Sequence, residues 1–197
     1  MKDIRILLSL LVLALFAFTS CDEKEDIGEF DNWKERNVQL VDSIATVARN
    51  STDGSWKVFL AEGLDNTKEW PNEYYVYCNV LSAGTGTTHP AFTDTVEINY
   101  SGRLMPTDNY PKGYLFDSSY AGEFDPQFDV PVDLPLNNTV AGFYTALQQM
   151  VAGDTWKVYI PYELGYGSSS NSSIPAYSTL IFDINLVSFH HVGTTAQ

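Results

Sequence analysis

Three stretches of this chain place apolar residues at every second position, and such stretches fold as strands with one buried and one wet face. In residues 95–100 the apolar side is Val96, Ile98 and Tyr100; in 156–160 it is Trp156, Val158 and Ile160; in 180–186 it is Leu180, Phe182, Ile184 and Leu186. Residues 73–81 are a further candidate. Only one helical pattern interrupts them, over residues 140–151, where Val140, Phe143, Leu147 and Met150 or Val151 share a face before Gly153-Asp154 ends it. The expected architecture is α+β, an antiparallel sheet of four to five strands wrapped around one short helix.

Upstream, Phe30, Trp33, Leu40, Val41, Ile44 and Val47 fall near helical spacing, and Asn32 with Glu35 suits a capping box. This predicts an N-terminal helical extension, stopped by Asn50-Ser51-Thr52-Asp53-Gly54 and followed by a short strand at Trp56–Leu60. A domain boundary is expected near residue 70. The parse is then 1–20 signal peptide, 21–70 acidic tether and helical segment, 71–190 folded domain, and 191–197 tail.

The first twenty residues bear on compartment. Lys2 and Arg5 precede an apolar run over residues 6–18 that is too short for a resident membrane helix but has the proportions of a signal peptide. Its end, Phe18-Thr19-Ser20-Cys21, resembles a bacterial lipobox with Phe in place of the usual Leu, which makes Cys21 the lipidation site. The acidic run Asp22-Glu23-Lys24-Glu25-Asp26 resembles the surface-export signal of Bacteroidetes lipoproteins, and a plain charged tether fits it equally well. An exported protein is expected, lipid-anchored to the outer membrane on its periplasmic or cell-surface side. Cys78 is then left without a disulfide partner and reads as a buried thiol.

A net charge of -14, from 25 acidic and 11 basic residues, repels phosphate backbones and excludes nucleic acid as a partner. Reactive chemistry is sparse. His89 lies in a Gly/Thr-rich turn, and His190-His191 sits near the C-terminus without an acidic or Cys partner at ligand spacing, so no metal is expected. No Ser occupies a Gly-x-Ser-x-Gly elbow, and Gly84-Thr85-Gly86 lacks the third glycine and helix of a phosphate cradle, so no cofactor is expected. Aromatics are plentiful instead, with 12 Tyr, 11 Phe and 4 Trp.

Five blocks carry a family resemblance: Val96-Glu97-Ile98-Asn99-Tyr100-Ser101-Gly102-Arg103-Leu104; Phe116-Asp117-Ser118-Ser119; Val140-Ala141-Gly142-Phe143 with Leu147 and Met150; Ile160-Pro161 with Leu164-Gly165-Tyr166-Gly167; and Ile174-Pro175 running into Ser178-Thr179-Leu180-Ile181-Phe182. In this order and spacing, residues 73–189 resemble the FKBP-type peptidyl-prolyl cis-trans isomerases. The resemblance implies an FKBP-like fold, isomerase activity on proline-containing polypeptides, a role in folding exported proteins, and binding of macrolide inhibitors of the rapamycin class. A non-catalytic binding or chaperone module on the same fold is the alternative. It places Tyr100, Phe116, Asp117, Tyr166 and Phe182 as catalytic residues and Val140, Phe143 and Ile174 as substrate-binding residues. Phe116, Val140, Phe143 and Phe182 would wall the proline ring, while the Ile174 N–H and Tyr166 hydroxyl would hold substrate carbonyls. Asp117, a carboxylate beside an apolar pocket, wants a hydrogen-bond donor, and the Tyr100 hydroxyl is the candidate.

Two features depart from the family pattern. Phe143 stands where the family usually has Trp, which widens the floor and removes an indole N–H. The segment 105–113 is long, and Val132 and Leu134 replace common Phe residues. Related exported isomerases use N-terminal helices to dimerise, but a helix of this length could equally pack on its own domain, so both oligomeric states are open. A third reading, a glycan-binding lipoprotein, would use Trp33, Trp56 or Trp70 as exposed sugar platforms.

Overall fold

The alternating stretches form the middle of one antiparallel sheet in the computed structural model, which describes residues 28–191. The chain divides into two units, Met1–Asp31 and Asn32–Gln197, and every element below belongs to the second. Cys21 and the acidic run after it lie outside the described residues. The elements are α1 (Trp33–Asn50), β1 (Trp56–Leu60), β2 (Tyr75–Ser82), β3 (Thr95–Arg103), β4 (Leu115–Ser118), β5 (Val132–Pro135), α2 (Ala141–Leu147), β6 (Thr155–Ile160) and β7 (Leu180–His190). The sheet runs β1-β2-β6-β7-β3-β4, and β5 also pairs with β3.

The fold class is α+β as expected, with seven strands rather than four or five. The additions are β1 and the two four-residue strands β4 and β5, which share one edge of β3: β5 pairs with residues 95–98 and β4 with 101–103. The boundary expected near residue 70 falls inside the second unit, because β1 joins β2 through the register Trp56↔Asn79 to Leu60↔Tyr75.

The two faces of the sheet are covered differently. Val76 and Cys78 of β2, Trp156 and Val158 of β6, and Phe182, Ile184 and Leu186 of β7 pack with Phe143, Ala146 and Leu147 of α2 in the main core. Each large side chain fully buried there contributes about 1.5–3 kcal/mol. Gly142 lets α2 approach this closely, since a Cβ on it would collide with Ile160 Cγ2. Cys78 is a free, buried thiol whose burial pushes its pKa well above the ordinary value.

The intervening residue Tyr77 points the other way and packs with Val41, Ala45 and Ala48 of α1. The expected capping box is absent: Asn32 adopts a left-handed conformation (φ 50°) and its side chain makes no cap bond, so only its carbonyl accepts, from the Arg36 N–H. The buried stripe of α1 is Trp33, Asn37, Val41, Ala45 and Ala48, whereas Phe30 and Val47 are exposed. Its small residues let the helix lie close on the sheet. The helix is therefore packed on its own domain.

Three side chains of α1 clasp three consecutive residues before β7. The Trp33 indole N–H donates to Ser178 Oγ at 2.9 Å, and Ser178 Oγ donates in turn to the Pro175 carbonyl at 2.7 Å. Lys34 Nζ sits 4.8 Å from the centre of the Tyr177 ring. Asn37, fully buried, accepts from the Thr179 N–H at 2.8 Å and donates to the Trp33 carbonyl at 2.7 Å.

Two further expectations change. Trp33 is buried, Trp56 stacks on Tyr159, and Trp70 tilts against Tyr74 with its indole N–H donating to the Asp65 carbonyl, so none is an open sugar platform. The C-terminal histidines do have an acidic neighbour, distant in sequence: β7 runs through His190, and the exposed His191 places Nδ1 2.7 Å from Oδ1 of the buried Asp94.

Candidate active site

Strand parity places the site. Val96 and Ile98 of β3 enter the core, and farther along the same strand Tyr100 reaches the mouth of a cavity between the sheet and the N-terminus of α2. Val140 is the residue that caps α2, and Phe143, one turn in, points down at the sheet with 4% of its surface exposed. Phe182 of β7 meets it at a centroid distance of 4.9 Å and 73°. Tyr100 lies 6.2 Å from Phe143 and 6.3 Å from Phe182. These edge-on and tilted contacts are the geometries that aromatic quadrupoles favour. The result is a rigid apolar cup, and its volume of about 380 Å³ lies within the range usual for small-ligand sites.

Of the eight expected residues, Tyr100, Asp117, Val140, Phe143, Tyr166 and Phe182 line this cavity. Phe116 stands behind it, edge-on to Phe182 at 5.5 Å and 89°, as a buttress for the wall. Gly102 makes room for that pair, because a Cβ there would come within 2.6 Å of both rings. Ile174 is buried beside the cavity and not on its surface, and its N–H already donates to Asn171 Oδ1 at 2.9 Å. Tyr166 is open, with 47% of its surface exposed.

Leu134, Asn138, Thr139 and Leu180 also line the cavity and were not expected. Leu180 had a legible signal, since it alternates with Phe182 in β7. Asn138 and Thr139 had none: a short turn at Leu136–Asn138 brings them to the rim.

The single charge on the wall is satisfied as expected. The Tyr100 hydroxyl donates to Asp117 Oδ2 at 2.8 Å. Burial, then the hydrogen bond and negative charge of Asp117, push the Tyr100 hydroxyl well above its ordinary pKa of 10.0. It is thus held as a donor across the neutral range. A phenol whose folded pKa is raised adds stability that is present in full below its unfolded pKa and is lost as pH rises past that value. Stability should therefore fall as pH climbs above about 10, and Tyr100→Phe should make that fall shallower, measured as urea midpoints from neutral to strongly alkaline pH. An identical alkaline slope in the variant would show that the Asp117 contact does not hold Tyr100 neutral.

Comparison with known proteins addresses the family. The profile of the family described as FKBP-type peptidyl-prolyl cis-trans isomerase matches residues 86–187. The "FKBP-type 22 kDa peptidyl-prolyl cis-trans isomerase" of Escherichia coli (strain K12) is 36% identical over 128 residues, 64% of this chain and 53% of that protein. The "Outer membrane protein MIP" of Legionella longbeachae is 37% identical over 111 residues, 55% of this chain and 42% of that protein. The chain thus spans about half the length of the curated relatives it matches. In fold, it resembles the crystal structure of a peptidyl-prolyl cis-trans isomerase from Pseudomonas syringae, with TM-score 0.56 and 24% identity over 80% of this chain and 96% of that one. It also resembles FkpA from Escherichia coli, with TM-score 0.53 and 25% identity over 81% and 64%. The matched region holds β3 to α2, β6 and most of β7, the elements that build the aromatic cup, and the chain belongs to the FKBP-type peptidyl-prolyl cis-trans isomerase family.

Proposed function

We propose that this protein is a peptidyl-prolyl cis-trans isomerase that acts on exported polypeptides. The observation that carries the reading is the cup itself: three mutually perpendicular or tilted rings, Tyr100, Phe143 and Phe182, with one carboxylate on the rim whose charge is held by Tyr100.

Rotation about an X-Pro bond is slow because amide resonance opposes it, with a barrier of about 18–20 kcal/mol. The twisted amide has lost that resonance and much of its polarity, so an apolar wall stabilises it relative to the planar form. Such a catalyst needs no nucleophile; a millionfold acceleration requires about 8 kcal/mol of preferential binding of the twisted state. Phe143, Phe182 and Val140 would take the pyrrolidine ring, with Phe116 fixing Phe182 from behind. The Tyr166 hydroxyl makes no hydrogen bond to another described residue and is the free donor for a substrate carbonyl. The Ile174 N–H can serve only by exchanging Asn171 Oδ1 for the substrate.

The test is a protease-coupled assay on proline tetrapeptides. The protein should accelerate cis-to-trans conversion, and Phe143→Trp, which restores the family's usual ring, should raise the rate several-fold. No acceleration by either form would leave the same cup as a binding module for unfolded chains. Macrolides of the rapamycin class should compete for the cup.

The proposed location is the outer membrane, through a lipid on Cys21. No helix among the described residues is long and apolar enough to cross a membrane, and one relative bears the name outer membrane protein. Metabolic labelling with a palmitate analogue should mark the wild type and not Cys21→Ala; equal labelling of both would remove the anchor from the proposal.

A further inference from the structure

On the sheet face opposite the aromatic cup, beyond the end covered by α1, lies a second cavity of about 380 Å³. Its floor is built from the outward residues of three adjacent strands in two cross-strand rows. One row is Asn99, Asn185 and Thr155; the other is Ser101, Asp183 and Lys157. The segment after β4 folds over them, carrying Tyr120 and Phe124, whose rings lie 5.3 Å apart at the rim.

Two features make this more than a dent in a wet surface. Asn99 and Ser101 are only 3% and 5% exposed, and Asn99 Oδ1 has no hydrogen-bond partner in the protein. A buried amide oxygen left unmatched costs about 1–3 kcal/mol, which a donor entering the cavity would offset. Asn185 spends its amide N–H groups on Thr155 Oγ1 at 3.0 Å and the Asp154 carbonyl at 3.3 Å, which leaves its oxygen facing the cavity as a second acceptor.

The lysines and carboxylates of the cavity are paired with one another: Lys157 Nζ lies 2.6 Å from Asp183 Oδ1 and, at the exposed rim, Lys112 Nζ lies 3.6 Å from Glu123 Oε1, while Arg103 keeps its charge and donates to the Gly113 carbonyl at 3.0 Å. A charged ligand competes with these lysine–carboxylate pairs. A neutral ligand rich in hydroxyl groups breaks none. It can donate to the amide oxygens, accept from Ser101, and lay an apolar ring face on Tyr120 or Phe124.

We propose that this cleft is a binding site for a neutral saccharide, separate from the isomerase cup and back to back with it across β3. The site rests on its own geometry and does not depend on the proposed isomerase activity.

The probes are glucose, galactose, N-acetylglucosamine, cellobiose and chitobiose, titrated at millimolar concentration into the full chain and followed by amide chemical shifts. The expected result is saturable shifts at Asn99, Ser101, Asp183 and Asn185 with at least one sugar. Asn99→Ala and, at the half-buried rim, Phe124→Ala should each weaken binding by about tenfold or more. Proline-peptide turnover should be unaltered in Phe124→Ala. The proposal is overturned if no sugar shifts these resonances, if both variants bind as the wild type does, or if acetate or a dipeptide amide shifts them with greater affinity than any sugar.

Discussion

Phe182→Ala is expected to remove most isomerase activity and, in the same protein, about 3 kcal/mol of stability. Phe182 meets Tyr100 and Phe143 in the cup and the buttressing Phe116 behind it, at 6.3, 4.9 and 5.5 Å centre to centre. Truncation would leave a cavity walled on one side by Gly102, which has no side chain to collapse into the gap, and would free Phe116 to swing. The Leu variant separates the two effects, since it refills most of the volume without an aromatic edge and should recover most of the stability but little of the activity. Urea denaturation and the protease-coupled kcat/KM measure these. Full activity in a destabilised Phe182→Ala would mean that the reaction takes place elsewhere.

The second large effect is expected far from the cup. Asn37→Leu should lower the unfolding free energy by about 1–3 kcal/mol, because it orphans the buried Thr179 N–H, while the Trp33 carbonyl keeps its bond within the helix. Thr179 immediately precedes Leu180, a lining residue, and the Pro175 carbonyl held by Ser178 follows Ile174. The same variant should therefore raise KM for proline peptides before it lowers kcat. A urea midpoint unmoved by Asn37→Leu would show that α1 only rests on the sheet.

These residues also explain what could be read in the sequence. Strands β3, β6 and β7 sit in the sheet interior with opposite faces in different surroundings, so burial imposed the alternation that identifies them. β4 and β5 are four residues long, lie on an edge, and are half exposed; nothing forces a pattern on them. The helix α1 was legible as a helix, and its buried face in part: Trp33 and Val41 are buried and Leu40 and Ile44 pack beside them, but the rest of the stripe was not. A hydrophobic count favours Phe30, Leu40, Ile44 and Val47, whereas close packing over Tyr77 selects Ala45 and Ala48, and the clasp selects the polar Asn37. The cup was legible because seven of its members fall in the family's ordered blocks. The state of the Ile174 N–H was not, because Asn171 reaches it through a local turn in a polar loop.

The clasp between α1 and residues 177–179 also sets a timetable. Trp33 and Ser178 are 145 residues apart in sequence, Asn37 and Thr179 142. Contacts of such long range close late, since the loop entropy must be met before they form. A chain that emerges N-terminus first presents α1 early, and β1 and β2 offer it Tyr77 soon after, yet the clasp has no second half until nearly the whole chain has followed. The clasp therefore closes on α1 only when the last strand arrives.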